Sequence, residues 1–399
     1  MDNGKAKLAI IMAGLPARGK SYLSLRLHRY LEWQGYRARI FNVGAYRRES
    51  LGPPSSKSDF FDPKEPVFAR ERERIAKRCF SDLAEWLGGA GDIAIYDATN
   101  VTASRRAYLE KECGKHGFEH VFVENVCDDP EIIEKIIRIK LEHSADYAGF
   151  APEAARADFA RRLGHYEGVY EPVSDVAHMK IINFGLSVVR AYGDERPFLD
   201  EIADFLGAVN LMDKEVFLTR HGETYFNCED RIGGDSPLTK RGAGYAGRLA
   251  AHFKGRDLVV FTSAKRRTIE TAAFFDCERV VLPELNEINS GLCDGLSYAE
   301  IAEGRPEVNE ARSNDKFNFR YPGGESYRDL IQRVKKSVIR IEAEKRDVLV
   351  IAHRAVNRCL VSYFIPTPPE EVPYIEMPLD RIIRVYRLNA HYGCDWKVI

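Results

Sequence analysis

Short apolar runs recur along the whole chain, with stretches of helical spacing between them. In the first half they fall at 7–13 (KLAIIMA), 38–43 (ARIFNV), 92–97 (DIAIYD), 119–126 (EHVFVENV) and 178–184 (HMKIINF). Leu23, Leu27, Tyr30 and Leu31 share one helical face in 21–34, and Gly35 closes that stretch. A continuous apolar run marks a strand covered on both faces, and strands separated by helices pair in parallel. The alternation returns later, with strands expected at 215–219 (EVFLT), 257–262 (DLVVFT), 279–282 (RVVL), 347–352 (DVLVIA) and 381–387 (RIIRVYR). The chain therefore reads as α/β throughout, with helices on both faces of parallel sheets.

At 399 residues the chain can fill two or three cores. A helix over 195–212 and a short link through Asp213 and Lys214 divide it, so domains of 1–213 and 214–399 are expected. The stretch 49–66, rich in Ser, Pro, Lys and Asp, reads as a long surface loop. Lys plus Arg number 59 against 60 for Asp plus Glu, a balance that argues against a general nucleic-acid binder. No apolar run has the length of a membrane span, and no secretory signal opens the chain. The eight cysteines are scattered, without close metal-binding pairs. A reduced, cytoplasmic protein with no membrane or nucleic-acid partner is the expectation.

GLPARGKS at 14–21 fits the phosphate-loop pattern and lies between an expected strand and an expected helix. Gly14 and Gly19 let the backbone turn its N–H groups inward around phosphate oxygens. Lys20 reaches the β- and γ-phosphates, and the Ser21 hydroxyl can bind Mg²⁺. Asp97, at the end of DIAIYDATN, suits an Mg²⁺-associated water or a substrate hydroxyl, although alone it is equally a turn residue. Arg47 and Arg48 offer a cationic clamp for a phosphorylated acceptor, or else a solvated helix start.

The second half carries another constellation. LTRHGETYFN places Arg220, His221 and Gly222 directly after a strand. A histidine nucleophile needs an oriented ring and a neighbouring cation for the phosphoryl oxygens. TSAKRRTIETA adds Arg267, NEINSG adds the acid Glu287, and IAHRA puts His353 at another strand end. Four such elements in this order, each at a strand's carboxyl end, point to a phosphohistidine hydrolase.

GLPARGK, FNVGxYRRE, DATN, VCDDPE, RHGE, RIGGDS, LNEI, RYPxGESY and xxHxAVxRCL all stand in this chain. Together they resemble the bifunctional 6-phosphofructo-2-kinase/fructose-2,6-bisphosphatase family, from about residue 8 to residue 394. The second half alone is similar to the phosphoglycerate mutase-like histidine phosphatases. The resemblance implies a P-loop kinase-like parallel sheet followed by a histidine phosphatase α/β domain. It implies synthesis of fructose 2,6-bisphosphate from ATP and fructose 6-phosphate, and its hydrolysis through a phosphohistidine. Mg²⁺ would serve the kinase, the phosphatase would need no cofactor, and a homodimer is expected. Two rival readings keep the phosphatase but weaken the kinase, or make the ATP site a sensor.

Carried over residue by residue, ATP would lie along Gly14, Leu15, Pro16, Ala17, Arg18, Gly19, Lys20, Ser21 and Tyr22. Asp97 and Cys127 match positions of the kinase site. Arg47, Thr99, Arg105, Arg162 and Tyr166 match positions that hold fructose 6-phosphate, and Lys140 the lysine that meets the transferred phosphoryl. His221 would take the 2-phosphoryl group, cradled by Arg220, Asn227, Arg267 and His353, while Glu287 protonates the leaving oxygen. Gly233, Tyr298, Arg312, Lys316, Tyr327 and Arg358 match contacts to the bisphosphorylated sugar.

There are departures too. Ala76 stands where the family has a sugar-phosphate arginine, leaving Arg72, Arg74 or Arg78 as substitutes. EIIEKIIRIK lacks the asparagine that contacts ATP, and Arg354 replaces a glutamine after the second histidine, adding a cation beside the bisphosphate. The chain starts close to the phosphate loop and ends just after the last strand, so control through an N-terminal extension or a phosphorylatable tail is not expected.

Overall fold

The computed structural model describes residues 7–52, 57–143, 145–388 and 391–398. The chain divides into two compact units, Met1–Leu211 and Met212–Ile399. In the first, β1 (Leu8–Ala13), β2 (Ala38–Asn42), β3 (Ile93–Asp97), β4 (Glu119–Val126), β5 (His178–Ile182) and β6 (Ser187–Ala191) form one sheet. Their order is β2-β3-β1-β4-β5-β6, parallel except for the edge strand β6. Every residue of β1 is buried, as its unbroken apolar run requires. The chain passes from β1 to β2 and β3 on one side and to β4 on the other. The loop leaving β1 therefore opens into the crevice at a topological switch point.

The second unit is built from β7 (Val216–Arg220), β8 (Leu258–Thr262), β9 (Arg279–Val281), β10 (Asp347–Ala352), β11 (Arg381–Leu388) and β12 (His391–Val398). Their order is β12-β11-β7-β10-β8-β9, with β7, β10, β8 and β9 parallel and β11 and β12 antiparallel. One face of this sheet packs Phe217, Val260, Leu349 and Ile351 against Tyr245, Leu249 and Phe253. The last three lie on and just after the helix Lys240–His252.

The structure corrects several expectations. Strands β6 and β12 went unread, because SVVRA is short and exposed and HYGCDWKV is broken by a glycine. The 195–212 helix is confined to Pro197–Ala208. The expected surface loop 49–66 is structured in part. A helix runs over Val43–Leu51, and Ser58–Phe61 forms a 3₁₀ turn that buries Phe60 and Phe61. Positions 53–56 of that stretch lie outside the described residues.

Lys214, expected in the linker, is part of the second unit's interior. Its ammonium, 5% exposed, donates to the carbonyls of Ile341 (2.5 Å), Glu342 (2.8 Å) and Glu344 (2.5 Å). These carbonyls close the helix Tyr327–Ala343, whose last C=O groups have no intrahelical partners. Lys214→Met is expected to destabilise the second unit by about 2 kcal/mol, the worth of a charged hydrogen bond to groups left buried. Calorimetric unfolding checks this. A loss of under about 0.5 kcal/mol, the size of an ordinary surface substitution, would mean that water serves those carbonyls equally well.

Two candidate active sites

The loop between β1 and the helix Lys20–Trp33 has backbone that only glycine adopts freely. Gly14 has φ 120° and Gly19 φ 84°. A Cβ at Gly14 would stand 2.5 Å from the Asn125 carbonyl oxygen, and one at Gly19 would stand 2.1 Å from the Phe184 ring. Gly14 N–H donates to Thr99 O at 2.8 Å, and the Asn100 amide donates to Met12 O at 2.7 Å, so the DATN turn is laced to the loop. Lys20 folds back over the loop, with Nζ 2.5 Å from Leu15 O. Burial pushes its ammonium down to about 7, against the pull of Asp97. Asp97 is buried at the end of β3 and accepts from the Asn42 amide at 2.5 Å. Ser21 is exposed on the first turn of the helix, and Tyr22 donates to Asn210 O at 3.3 Å. Among the described residues, no group of three or more His, Cys, Asp or Glu side chains is placed to hold a metal ion.

Beside this loop lies a cationic pocket. Arg47 and Arg162 are both buried, and their guanidinium carbons sit 5.0 and 3.8 Å from the centroid of the Phe61 ring. Such desolvated cation–π contacts are worth about 2 kcal/mol each. Asp146 accepts from Arg47 (2.5 Å), Arg48 (3.3 Å) and Arg162 (3.1 Å). Burial alone would raise its pKa, yet the three arginines hold this carboxyl well below the usual range. Lys140 joins the group, pushed down to about 8 by burial and then by Arg162, with Asp146 and Asp97 pulling the other way. Tyr166 packs its ring 5.9 Å from Phe61.

Arg105 is engaged elsewhere, donating to Glu73 at 2.9 Å and to the Tyr96 hydroxyl at 3.0 Å. Cys127 is buried, which pushes its thiol pKa up. Ala76 is also buried, and of its expected substitutes only Arg72 turns toward the pocket wall. Arg72 donates to Phe60 O and to Asp62 O and faces the Phe60 ring, whereas Arg74 pairs with Glu71 and Arg78 reaches Ser50.

In the second unit the ends of β7, β8 and β10 bring the expected residues together. His221 N–H donates to Ala352 O at 3.0 Å, and this sets its ring 5.3 Å from that of His353. His221 Nδ1 lies 2.8 Å from the Gly222 carbonyl, so the proton sits on Nδ1 and the Nε2 lone pair is free. Burial, then Arg267 and Arg220, holds this imidazole well below its ordinary pKa. Arg220 is pushed down to about 9 by burial, then by Arg354, and its Nε has no partner among the described residues. Arg267 donates to His353 Nδ1 at 3.2 Å and to Gly234 O at 2.8 Å. Glu287 Oε1 accepts from Ala355 N–H at 3.3 Å, at the start of the helix Arg354–Phe364. Asn227 closes a capping box with Thr224. Gly233, at φ 69°, leaves no room for a Cβ, which would meet Asp294 Oδ1 at 1.7 Å.

Three cations of the second unit share one support. Pro373 O, Ile375 O and Met377 O accept from Lys316 (3.2 Å), Arg358 (2.7 Å) and Arg220 (3.0 Å), one carbonyl for each cation along the same strap. Burial, then Arg312, Arg358 and Arg354, pushes Lys316 down to about 8. Arg312 donates to the Tyr321 and Tyr298 hydroxyls, and Arg358 donates to Tyr327. Arg354 is exposed at the head of its helix.

Two supporting residues escaped the sequence reading although they stand in TSAKRRTIETA. Ser263, fully buried, lies 2.8 Å from His353 Nε2 and 2.8 Å from the Thr268 hydroxyl. Thr271 accepts from Gly222 N–H at 2.9 Å and donates to Arg267 O at 2.7 Å, tying the His221–Gly222 turn to the helix Arg266–Ala272. Asp146 and the strap 373–377 carried no signal at all.

Comparison with known proteins follows the same division. Residues 1–207 match the 6-phosphofructo-2-kinase family, and residues 216–394 match the histidine phosphatase superfamily (branch 1). A 6-phosphofructo-2-kinase/fructose-2,6-bisphosphatase of Caenorhabditis elegans is 36% identical over 99% of this chain and 89% of its own length. One of Gallus gallus is 38% identical over 98% and 84%, and the 6-phosphofructo-2-kinase/fructose-2,6-bisphosphatase 4 of Rattus norvegicus matches to the same extent. With both catalytic modules matched in order and relatives aligned over nearly its whole length, the chain belongs to the bifunctional 6-phosphofructo-2-kinase/fructose-2,6-bisphosphatase family.

Proposed function

We propose that this bifunctional enzyme performs its two reactions with the residues gathered at these strand ends. In the first unit ATP lies along Gly14–Tyr22, with Lys20 on the β- and γ-phosphates. Ser21 and Asp97 would hold Mg²⁺ together with phosphate oxygens, and the metal would neutralise charge on the transferring group. Fructose 6-phosphate enters the pocket of Arg47, Arg162, Lys140, Thr99 and Tyr166. The unpartnered Nε atoms of Arg47 and Arg162 support this reading, since buried guanidinium donors without acceptors suit an incoming phosphate. On this reading Arg105 keeps its place among the fructose 6-phosphate contacts and Cys127 its place at the kinase site. Eight free thiols fit a cytoplasmic enzyme.

In the second unit His221 Nε2 attacks the 2-phosphoryl group. The P–O bond to the sugar breaks, Glu287 gives a proton to the departing oxygen, and water then hydrolyses the phosphohistidine. Arg220, Arg267, Asn227 and His353 hold the phosphoryl oxygens. Lys316, Arg312, Arg358, Arg354, Tyr298, Tyr327 and Gly233 form the sugar and 6-phosphate side. The observation that carries this reading is the 2.8 Å contact of His221 Nδ1 with the Gly222 carbonyl, an acceptor that takes the Nδ1 proton and leaves Nε2 its lone pair, on a ring whose charged form burial, Arg267 and Arg220 disfavour.

Transfer of labelled γ-phosphate from ATP to fructose 6-phosphate, and release of the 2-phosphate from the product, tests both reactions in one preparation. Label trapped during hydrolysis should be acid-labile, base-stable and located on His221, and His221→Ala should abolish hydrolysis. Label on any other residue contradicts the mechanism.

Lys20→Met should lower kinase turnover by about 10²–10³, the usual loss for one transition-state donor, and leave hydrolysis intact. Equal loss of both activities in a folded variant would mean that the two sites are not independent.

His221 is expected to stay neutral well below its ordinary pKa of 6.5 in the folded protein. The unfolded chain protonates near 6.5 while the folded one does not, so this group's contribution to stability is full above 6.5 and is lost as pH falls. Nitrogen-15 histidine spectra should show a neutral His221 ring at about pH 5.5. A titration midpoint near 6.5 would show that burial does not govern the ring.

A further inference from the structure

Asp146 is a buried carboxylate to which neither reaction assigns a role. It sits in the 3₁₀ turn Ala145–Tyr147, ahead of the helix Pro152–Glu167 that carries Arg162. Its side chain is 3% exposed, those of Arg47 and Arg162 are 4% and 10% exposed, and Arg48 is 36% exposed. The two carboxylate oxygens are divided between the buried partners. Oδ1 takes Arg47 from the helix Val43–Leu51, with Arg48 at 3.3 Å, and Oδ2 takes Arg162. A carboxylate that bridges two guanidinium groups fixes their separation as well as neutralising them. Both arginines lie over the Phe61 ring and keep an unpartnered Nε.

We propose that Asp146 is the positioning residue of the fructose 6-phosphate pocket, spacing Arg47 and Arg162 for a phosphate that it does not itself touch. The inference rests on the kinase reading above. The opposite role, a built-in anion that substrate must displace, does not suit this surrounding. Without the carboxylate, Arg47 and Arg162 would face each other desolvated and like-charged, and Lys140 beside them carries a third charge. Groups that repel across an empty pocket separate, and the phosphate would then have to pull them together again. Removal of Asp146 should therefore weaken sugar-phosphate binding, whereas removal of a displaceable anion would strengthen it.

The test is steady-state kinase kinetics of the full chain with ATP saturating and fructose 6-phosphate varied. Asp146→Asn keeps the shape and removes the charge. The expected result is a KM for fructose 6-phosphate raised about tenfold or more, with kcat changed less and ATP affinity unchanged. Asp146→Glu keeps the charge one methylene further out and should recover most of the loss. An unchanged or lowered KM in Asp146→Asn overturns the proposal, and so does an equal rise in both variants, which would reflect packing alone. If Asp146→Asn no longer binds ATP and is thus misfolded, Asp146→Ser takes its place: a KM raised about tenfold or more at unchanged ATP affinity, mostly recovered by Asp146→Glu, supports the proposal, and an unchanged or lowered KM, or an equal rise in both variants, overturns it. A wild-type chain without kinase turnover sinks the kinase reading itself, a result distinct from an active enzyme indifferent to position 146.

Discussion

Like charges gathered out of water repel, and both units of this protein gather them. In the first, Arg47, Arg162, Lys20 and Lys140 converge at the strand ends; in the second, Arg220, Arg267, Arg358 and Lys316 do so. A site meant for doubly charged phosphoryl groups needs this concentration of cations, yet a folded chain without substrate must still contain it. Much of the remaining architecture serves that containment. The strands end together, the helices start where anions are welcome, and neutral or negative groups are fitted between the cations.

The two units meet the constraint differently. The kinase pocket uses a formal negative charge, Asp146, against three arginines. The phosphatase pocket uses mainly carbonyl dipoles, with Met377 O on Arg220, Gly234 O on Arg267 and Ile375 O on Arg358. Glu287 is the acid closest in charge to that group, opposing the shifts of both Arg220 and Arg267. The chemistry accounts for the contrast. A transferred phosphoryl that attaches to a neutral imidazole needs an electropositive nest, and a second buried carboxylate would cancel part of that field. On the proposed reading Arg47 and Arg162 grip a phosphate that is not transferred, so a fixed counter-charge beside them would cost the reaction little.

Residues proposed to act directly on substrate were legible as candidates, because loop, strand and chemistry coincide in GLPARGKS, RHG and IAHRA. Residues that hold other residues were not. Asp146 lies in a stretch, SADYAGF, with no periodicity or motif to distinguish it from any surface aspartate. Ser263 and Thr271 were in plain view beside Arg267, but a hydroxyl shows its use only once its partners, His353 and the Gly222 N–H, are in place. Phe60 and Phe61 were outweighed by the Ser, Pro and Lys around them, so a pocket wall was read as loop. Edge strands β6 and β12 escaped for a related reason: with solvent on one side they need neither length nor unbroken apolar character.

The strap from Pro373 to Met377 supports its three cations with main-chain oxygens, a contribution that belongs to no side chain. Drift in amino-acid identity along PYIEM can therefore proceed while Lys316, Arg358 and Arg220 stay capped, provided Val372 and Met377 remain anchored in the interior. Chain length is another matter. Each oxygen meets its cation from a fixed place, Pro373 within the 3₁₀ turn Val372–Tyr374 and Ile375 and Met377 beyond it, so adding or deleting one residue here would move the carbonyls out of register with the three cations. This part of the second unit is thus constrained in spacing rather than in spelling: its side chains can change, whereas one residue more or less would uncap the cations.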